Sequence, residues 1–244
     1  MSTQGLLDTL RREGRTILTE VEAKEFLAPT GIPIVPTRLA RSQREAVRIA
    51  RELGWPVVLK VVSPDIVHKS DIGGVKVGLT SASAVARAYR EIMQAVRTHA
   101  PQARLHGVSV QKMAPPGREV IIGAGKDPQF GHYVMFGLGG IFVEVLKDVA
   151  FRLVPLTPRD ARQMIREIRG FPLLEGQRGQ PPADLTALEQ ALLGLSAFLE
   201  AHPEVQEVDL NPVFAYPQGC VAVDVRVVVE GGALASSAPS GGTP

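Results

Sequence analysis

A single cysteine, Cys220, is all the thiol chemistry this chain possesses, which excludes an internal disulfide and any cysteine-built metal cage. Aromatic residues are scarce at 5%, and there is one tryptophan. Neither sign of charge dominates: 27 lysines and arginines stand against 25 aspartates and glutamates, a formal net charge of +2. The basic residues are spread along the chain and not clustered, so no nucleic-acid surface is indicated. No apolar run approaches the length of a membrane span, and the N-terminus lacks a signal-peptide pattern. The expectation is a soluble, cytoplasmic protein with no nucleic-acid and no membrane partner. A Gly-x-x-x-x-Gly-Lys-Ser/Thr motif is also missing, which excludes a P-loop, and no repeat recurs at a fixed period.

What is present is enough apolar material, 45% of 244 residues, for one large domain or two small ones. Residues 1–18 are mixed and carry little signal. Thr19 with Glu22, and Ser42 with Glu45, have capping-box spacing and predict two helix starts. Ala46, Ile49, Ala50 and Leu53 recur at helical spacing before Gly54. Valine-rich runs from Val57 and from Val75 predict strands, followed by a helix capped at Ser83. From Val108 the character changes to strands: from Val108, Arg118 and Tyr133, then two within residues 141–155. Thr157-Pro158 opens a helix, residues 171–182 read as a loop, and leucines from Leu185 to Leu199 mark another helix. Strands Val205 to Leu210 and Val221 to Val229 close the fold before a tail expected to be disordered. The pattern divides into two α/β halves with a seam near residues 107–114, a favoured place for a ligand.

Two stretches carry chemistry. The first runs from Val57 through Gly78. Lys60 interrupts an apolar strand that offers it no acidic neighbour, so a nucleotide phosphate would serve as its counter-charge. A lysine that snorkels to water from a strand edge is the other reading. Gly73 and Gly74 would free backbone N–H groups for phosphates or would make a plain turn, and Gly137, Gly139 and Gly140 allow the same two readings. His68 lies between Lys60 and the glycine pair; with an ordinary pKa of roughly 6.5 it suits a neutral nucleophile that receives a phosphoryl group. The second stretch is Glu207-Val-Asp-Leu-Asn-Pro212, where strand alternation places Glu207, Asp209 and Asn211 on one face. Asp224 stands within Val-Ala-Val-Asp-Val, where a charge needs a partner. If these strands pair, their oxygens converge on a place suited to Mg²⁺ held jointly with phosphates.

These residues resemble a known family. Glu22-Ala-Lys-Glu25, Val58-Leu-Lys60, Ser63-Pro-Asp-Ile-Val-His-Lys-Ser-Asp-Ile-Gly-Gly-Val75, Asp127-Pro-Gln-Phe-Gly131, Met135-Phe-Gly-Leu-Gly-Gly-Ile-Phe-Val-Glu144 and Asp209-Leu-Asn-Pro-Val213 are similar to stretches of the ATP-grasp (β) subunits of ADP-forming acetyl-CoA synthetases, relatives of succinyl-CoA synthetase. The resemblance spans about Glu20 to Val229. It implies an α/β ATP-grasp fold of two α+β subdomains with the nucleotide between them. On it, Lys60 contacts nucleotide phosphates and the backbone of Gln111, Lys112 and Met113 reads adenine. Glu119 lies near the nucleotide, Asn211 and Asp224 ligate Mg²⁺ with Asp209 beside them, and His68 is the phosphorylated histidine.

The boundaries drawn are an extension over 1–18, subdomains over 19–107 and 108–230, and a tail over 231–244. The implied cofactors are ATP or ADP and Mg²⁺. The family's CoA-binding half and its first phosphohistidine have no counterpart in this sequence and are expected on a separate α subunit. A stand-alone ATP-grasp ligase joining an acyl phosphate to an amine, and a nucleotide-sensing partner of an acetyltransferase, are the alternatives.

Overall fold

A computed structural model describes residues 3–66, 69–140, 148–176, 179 and 181–231. His68, the expected strand within residues 141–147 and the tail beyond 231 lie outside the described residues.

Two antiparallel sheets organise the chain. The smaller contains β1 (Thr37–Ala40), β2 (Val57–Val62), β3 (Val75–Leu79) and β4 (Gly107–Lys112) in the order β1-β4-β2-β3. Helices α3 (Gln43–Leu53) and α4 (Ala82–His99) bury Ile49, Val85, Ile92 and Val96 with Val57, Leu59 and Val61 of β2. All six residues of β2 are buried, Lys60 among them.

The larger sheet contains β5 (Arg118–Asp127), β6 (Gly131–Leu138), β7 (Val149–Leu153), β8 (Val205–Ala215), β9 (Cys220–Ala222) and β10 (Val225–Val229). Its order is β10-β8-β5-β6-β7, with β9 paired to the far end of β8. Helices α5 (Pro158–Glu167), α6 (Phe171–Leu174) and α7 (Leu185–Ala201) contribute Met164, Ile165, Leu174, Leu188, Leu192 and Leu195 to its core. The helix start expected at Thr157-Pro158 is that of α5, where Thr157 and Asp160 also form a capping box.

Several local expectations differ from the structure. Residues set aside as an extension form α1 (Thr3–Glu13), whose Leu6, Leu7 and Leu10 are buried in the larger core. Helix α2 (Glu20–Phe26), started by the Thr19–Glu22 capping box, sends Ala23 and Phe26 into the same core. Packing therefore assigns residues 3–36 to the larger half and confines the smaller to residues 37–112, because the leucines of α1 are buried in the larger core and α2 packs on β10. The cap of α4 is Ser81, whose hydroxyl accepts from the Ala84 N–H, with Ser83 inside the helix. The segment read as a loop from Phe171 contains α6, which buries Leu174. The last strand is broken at Val223-Asp224: the N–H of Ala222 donates to Pro33 and that of Val223 to Pro212, so the ladder is interrupted where Asp224 projects. Cys220 is a buried free thiol that burial, then Asp184, pushes up to about 11, which leaves it inert as a nucleophile.

Candidate functional site

A cavity of about 540 Å³ lies between the halves. On one side are Lys60 of β2 and the following loop with Ser63 and Lys69; on the other are Asp209, Asn211 and Asp224. The register explains the second wall. Asp209 and Asn211 share a face of β8 by alternation, and Arg226 of β10 pairs opposite Asp209. One step along, the Asn211 N–H donates to the Asp224 carbonyl at 3.3 Å, so these two side chains rise together.

The floor of the cavity is a charge cluster centred on Glu20, the first residue of α2. Its Oε1 accepts from Lys60 Nζ at 2.8 Å and from Lys24 Nζ at 2.9 Å, and its Oε2 accepts from Lys69 Nζ at 3.2 Å. Lys60 Nζ also donates to Asp224 Oδ2 at 3.1 Å. Lys24 has three further acceptors: Thr37 Oγ1 and Val223 O at 2.9 Å, and Gln111 Oε1 at 2.8 Å. One ammonium thus ties β1 and β4 of the smaller sheet to the break between β9 and β10 of the larger.

The counter-charges of Lys60 are therefore Glu20, forty residues earlier in sequence, and Asp224. The strand itself offers none, as expected; the partners come from elements that fold over it. Burial alone would raise the Glu20 carboxyl, but Lys60, Lys24 and Lys69 overcome it and hold the group at about 2. Burial pulls Lys60 down, and Glu20 with Asp224 outweighs it, so its ammonium stands above its ordinary value. Lys24 ends below its ordinary value: burial lowers it, Glu20 opposes, and Lys60 repels. Lys60 and Lys69 are the members of this cluster whose ammoniums line the cavity, and they suit an anionic ligand.

Asp209 shows the opposite balance. Burial, then the neighbouring charge of Glu207, raises its carboxyl; Arg226 opposes and Asp224 adds to the rise. Asp209 and Asp224 beside the Asn211 amide make an oxygen-rich wall, with Lys60 on Asp224 and Arg226 opposite Asp209, and a hard divalent cation shared with phosphates matches those oxygens. The residues present thus fit Mg²⁺.

The other expected site residues are placed elsewhere. Gly73 has φ +71° and donates to Ser70 O at 3.0 Å, while Gly74 donates to Lys69 O at 2.8 Å. A Cβ on Gly74 would meet Val61 Cγ1 at 2.6 Å, so this pair makes a turn pressed against β2 and its N–H groups are engaged. The N–H groups of Lys112 and Met113 donate to Pro36 O and Pro56 O, each at 3.0 Å, and the Gln111 side chain serves Lys24. Glu119 is exposed beside the Gly139-Gly140 turn, where Gly139 N–H donates to the Glu119 carbonyl at 2.8 Å. Among the described residues, the cavity thus brings together Lys60, Asp209, Asn211 and Asp224.

Sequence reasoning missed Glu20, Lys24 and Lys69 as members of the site. A signal for the first two was available: Glu20 and Lys24 are four apart on a short helix whose Ala23 and Phe26 are core residues, and charges so placed need partners. The cluster also predicts an acid sensitivity. A carboxyl held at about 2 against an ordinary 4.5 contributes stability that is complete above pH 4.5 and is lost as pH falls toward 2. Acid unfolding followed by circular dichroism should be shallower over that window in Glu20→Gln than in the unmodified chain; superimposable slopes would remove Glu20 as the source.

Comparison with known proteins agrees with this geometry. A family profile described as an ATP-grasp domain matches residues 9–229. The β subunit of acetate–CoA ligase (ADP-forming) I from Pyrococcus furiosus is 47% identical over 224 residues, 92% of this chain and 96% of that one. Among solved structures, acetyl-coenzyme A synthetase 1 of Candidatus Korarchaeum cryptofilum, in complex with coenzyme A and Ca-AMPCP, superposes with a TM-score of 0.91 at 50% identity over 94% of this chain and 100% of the matched chain. The same enzyme with coenzyme A and Mg-AMPPCP, its phosphohistidine segment pointing towards the nucleotide binding site, gives a TM-score of 0.84 at 47% identity with the same coverage. Fold, cavity and relatives agree: the chain belongs to the ATP-grasp family, and within it to the β-subunit type of the ADP-forming acetate–CoA ligases.

Proposed function

We propose that this chain is the nucleotide-binding subunit of an ADP-forming acyl-CoA synthetase, acting with a CoA-binding α subunit in the cytoplasm. The overall reaction is acyl-CoA + ADP + phosphate ⇌ carboxylate + CoA + ATP. The observation that carries the reading is the cavity in which Lys60 and Lys69 face Asp209, Asn211 and Asp224 across the two halves. The lysines bind and orient the phosphates as point charges. Asn211 and Asp224, with Asp209 beside them, would hold Mg²⁺, which when bound neutralises phosphate charge. His68 accepts the γ-phosphoryl group: an N–P bond forms, the P–O bond to ADP breaks, and the reverse step makes ATP. Gln111, Lys112, Met113 and Glu119 keep the nucleotide contacts that the resemblance gives them, through atoms other than the engaged N–H groups of Lys112 and Met113.

Calorimetry on the isolated chain tests the reading. Mg-ADP should bind, and Asp224→Asn should raise the Mg²⁺ needed at fixed ADP by at least roughly tenfold, the scale on which metal-site changes act. An unchanged Mg²⁺ titration would move the metal away from Asp224, and no binding of either nucleotide at millimolar concentration would overturn the reading.

A further inference from the structure

Lys60 has two counter-ions of different character. Glu20 is shut away, with its side chain 1% exposed, and is fixed by three ammoniums. Asp224 is open, 44% exposed, and stands beside Asn211 and Asp209 on the wall that fits a divalent cation. Its two oxygens are engaged differently: Oδ1 accepts from the Val225 N–H at 3.0 Å, and Oδ2 accepts from Lys60 at 3.1 Å. An oxygen held by an ammonium is a poor ligand until that contact is released. Release is cheaper on the open Asp224 side, where water or a metal can replace the contact, whereas a buried lysine left without any counter-charge is costly.

Resting on the functional reading above, we propose that Glu20 is the positioning residue of the phosphate site: it keeps Lys60 and Lys69 seated, so that Asp224 can leave Lys60 for Mg²⁺. Glu20 touches neither nucleotide nor metal. It acts through Lys60 as the permanent partner, and Asp224 is the exchangeable one. Lys24, bonded to the same Oε1, anchors the carboxylate to both sheets through Thr37, Gln111 and Val223, which fixes where Glu20 can point. Without the Glu20 charge, Lys60 has Asp224 as its remaining anion, and Mg²⁺ must compete with an ammonium for Oδ2.

The competition gives a readout that a loss of packing does not. At saturating ADP, Glu20→Gln should raise the Mg²⁺ midpoint about fivefold, on the scale of an ion pair with one exposed partner. In a Lys60→Met background the competitor is gone, and the same Glu20→Gln change should leave the midpoint where Lys60→Met alone puts it. An equal shift in both backgrounds, or none in either, overturns the proposal. Should Glu20→Gln fail to fold, a crystal structure of the unmodified chain with Mg²⁺ and ADP decides: Lys60 Nζ stays within hydrogen-bond distance of Glu20 while Asp224 has left it. Lys60 leaving Glu20 and staying on Asp224 overturns this inference alone; no nucleotide binding by the unmodified chain overturns the functional reading and this inference with it.

Discussion

Replacing His68 by asparagine is expected to abolish phosphorylation of the chain and to reduce overall turnover by at least about 10³-fold, on the scale of losing a catalytic nucleophile. On the proposed function the phosphates bind here while the acyl and CoA chemistry belongs to the α subunit, so the phosphoryl group needs a carrier between them. A phosphoimidazole is reactive enough to pass its group in either direction. His68 immediately precedes Lys69, whose ammonium is bonded to Glu20 on the cavity floor, and stands in sequence two residues after Ile66, which lines the same cavity. Radiolabelled ATP with Mg²⁺ should leave an acid-labile, base-stable label on the unmodified chain and none on His68→Asn. Nucleotide affinity should be nearly unchanged in the variant, since the phosphates are held by lysines. Undiminished turnover in His68→Asn would remove the residue from the mechanism and favour an amine-ligase reaction.

Lys60→Ala is expected to weaken binding of Mg-ADP and Mg-ATP by about 10–100-fold, the worth of a charge-assisted contact in a water-poor site. The fold should survive, because Glu20 keeps Lys24 and Lys69 as partners and is not left as an isolated buried charge. The same substitution releases Asp224 Oδ2, so the Mg²⁺ requirement should not rise as it does in Asp224→Asn. Calorimetry at several Mg²⁺ concentrations separates the two effects. A Lys60→Ala protein that binds nucleotide as tightly as the parent would show that Lys60 serves the fold and not the ligand.

Much of this was legible in the sequence for local reasons. The capping box at Thr19, the Thr157-Pro158 helix start, the apolar periodicity of α3 and α7, and the valine-rich β2 each declare themselves within a dozen residues. The wall of Asp209, Asn211 and Asp224 followed from alternation on one strand and a lone charge in the next. The Glu20 cluster did not, because its contacts join residues 20, 60, 69 and 224, and nothing in a linear reading pairs positions so distant. The opposite error befell Gly73 and Gly74. Paired glycines beside a lysine look like a phosphate cradle, yet here the close approach is to Val61, and the glycines serve the turn. The leucines of α1 recur at helical spacing, but three apolar positions in a charged segment were too few to show that they belong to the core of a distant sheet.

The packing of residues 3–36 with the later part of the chain makes the smaller half an insertion. The polypeptide enters it after Pro36 and leaves it at Met113, and these crossings run side by side: Thr37 pairs with Gln111, and the Lys112 N–H donates to Pro36 O. The chain therefore joins the inserted unit to its host at a single two-stranded ribbon, with Lys24 and the Glu20 and Asp224 ion pairs as non-covalent ties. Such an attachment can be cut and rejoined at one place, so residues 37–112 are a natural cassette for exchange between relatives. A graft at this ribbon would carry Lys60 with it and leave Glu20 and Asp224 behind, so the recipient would have to provide the acidic partners that the incoming lysine needs.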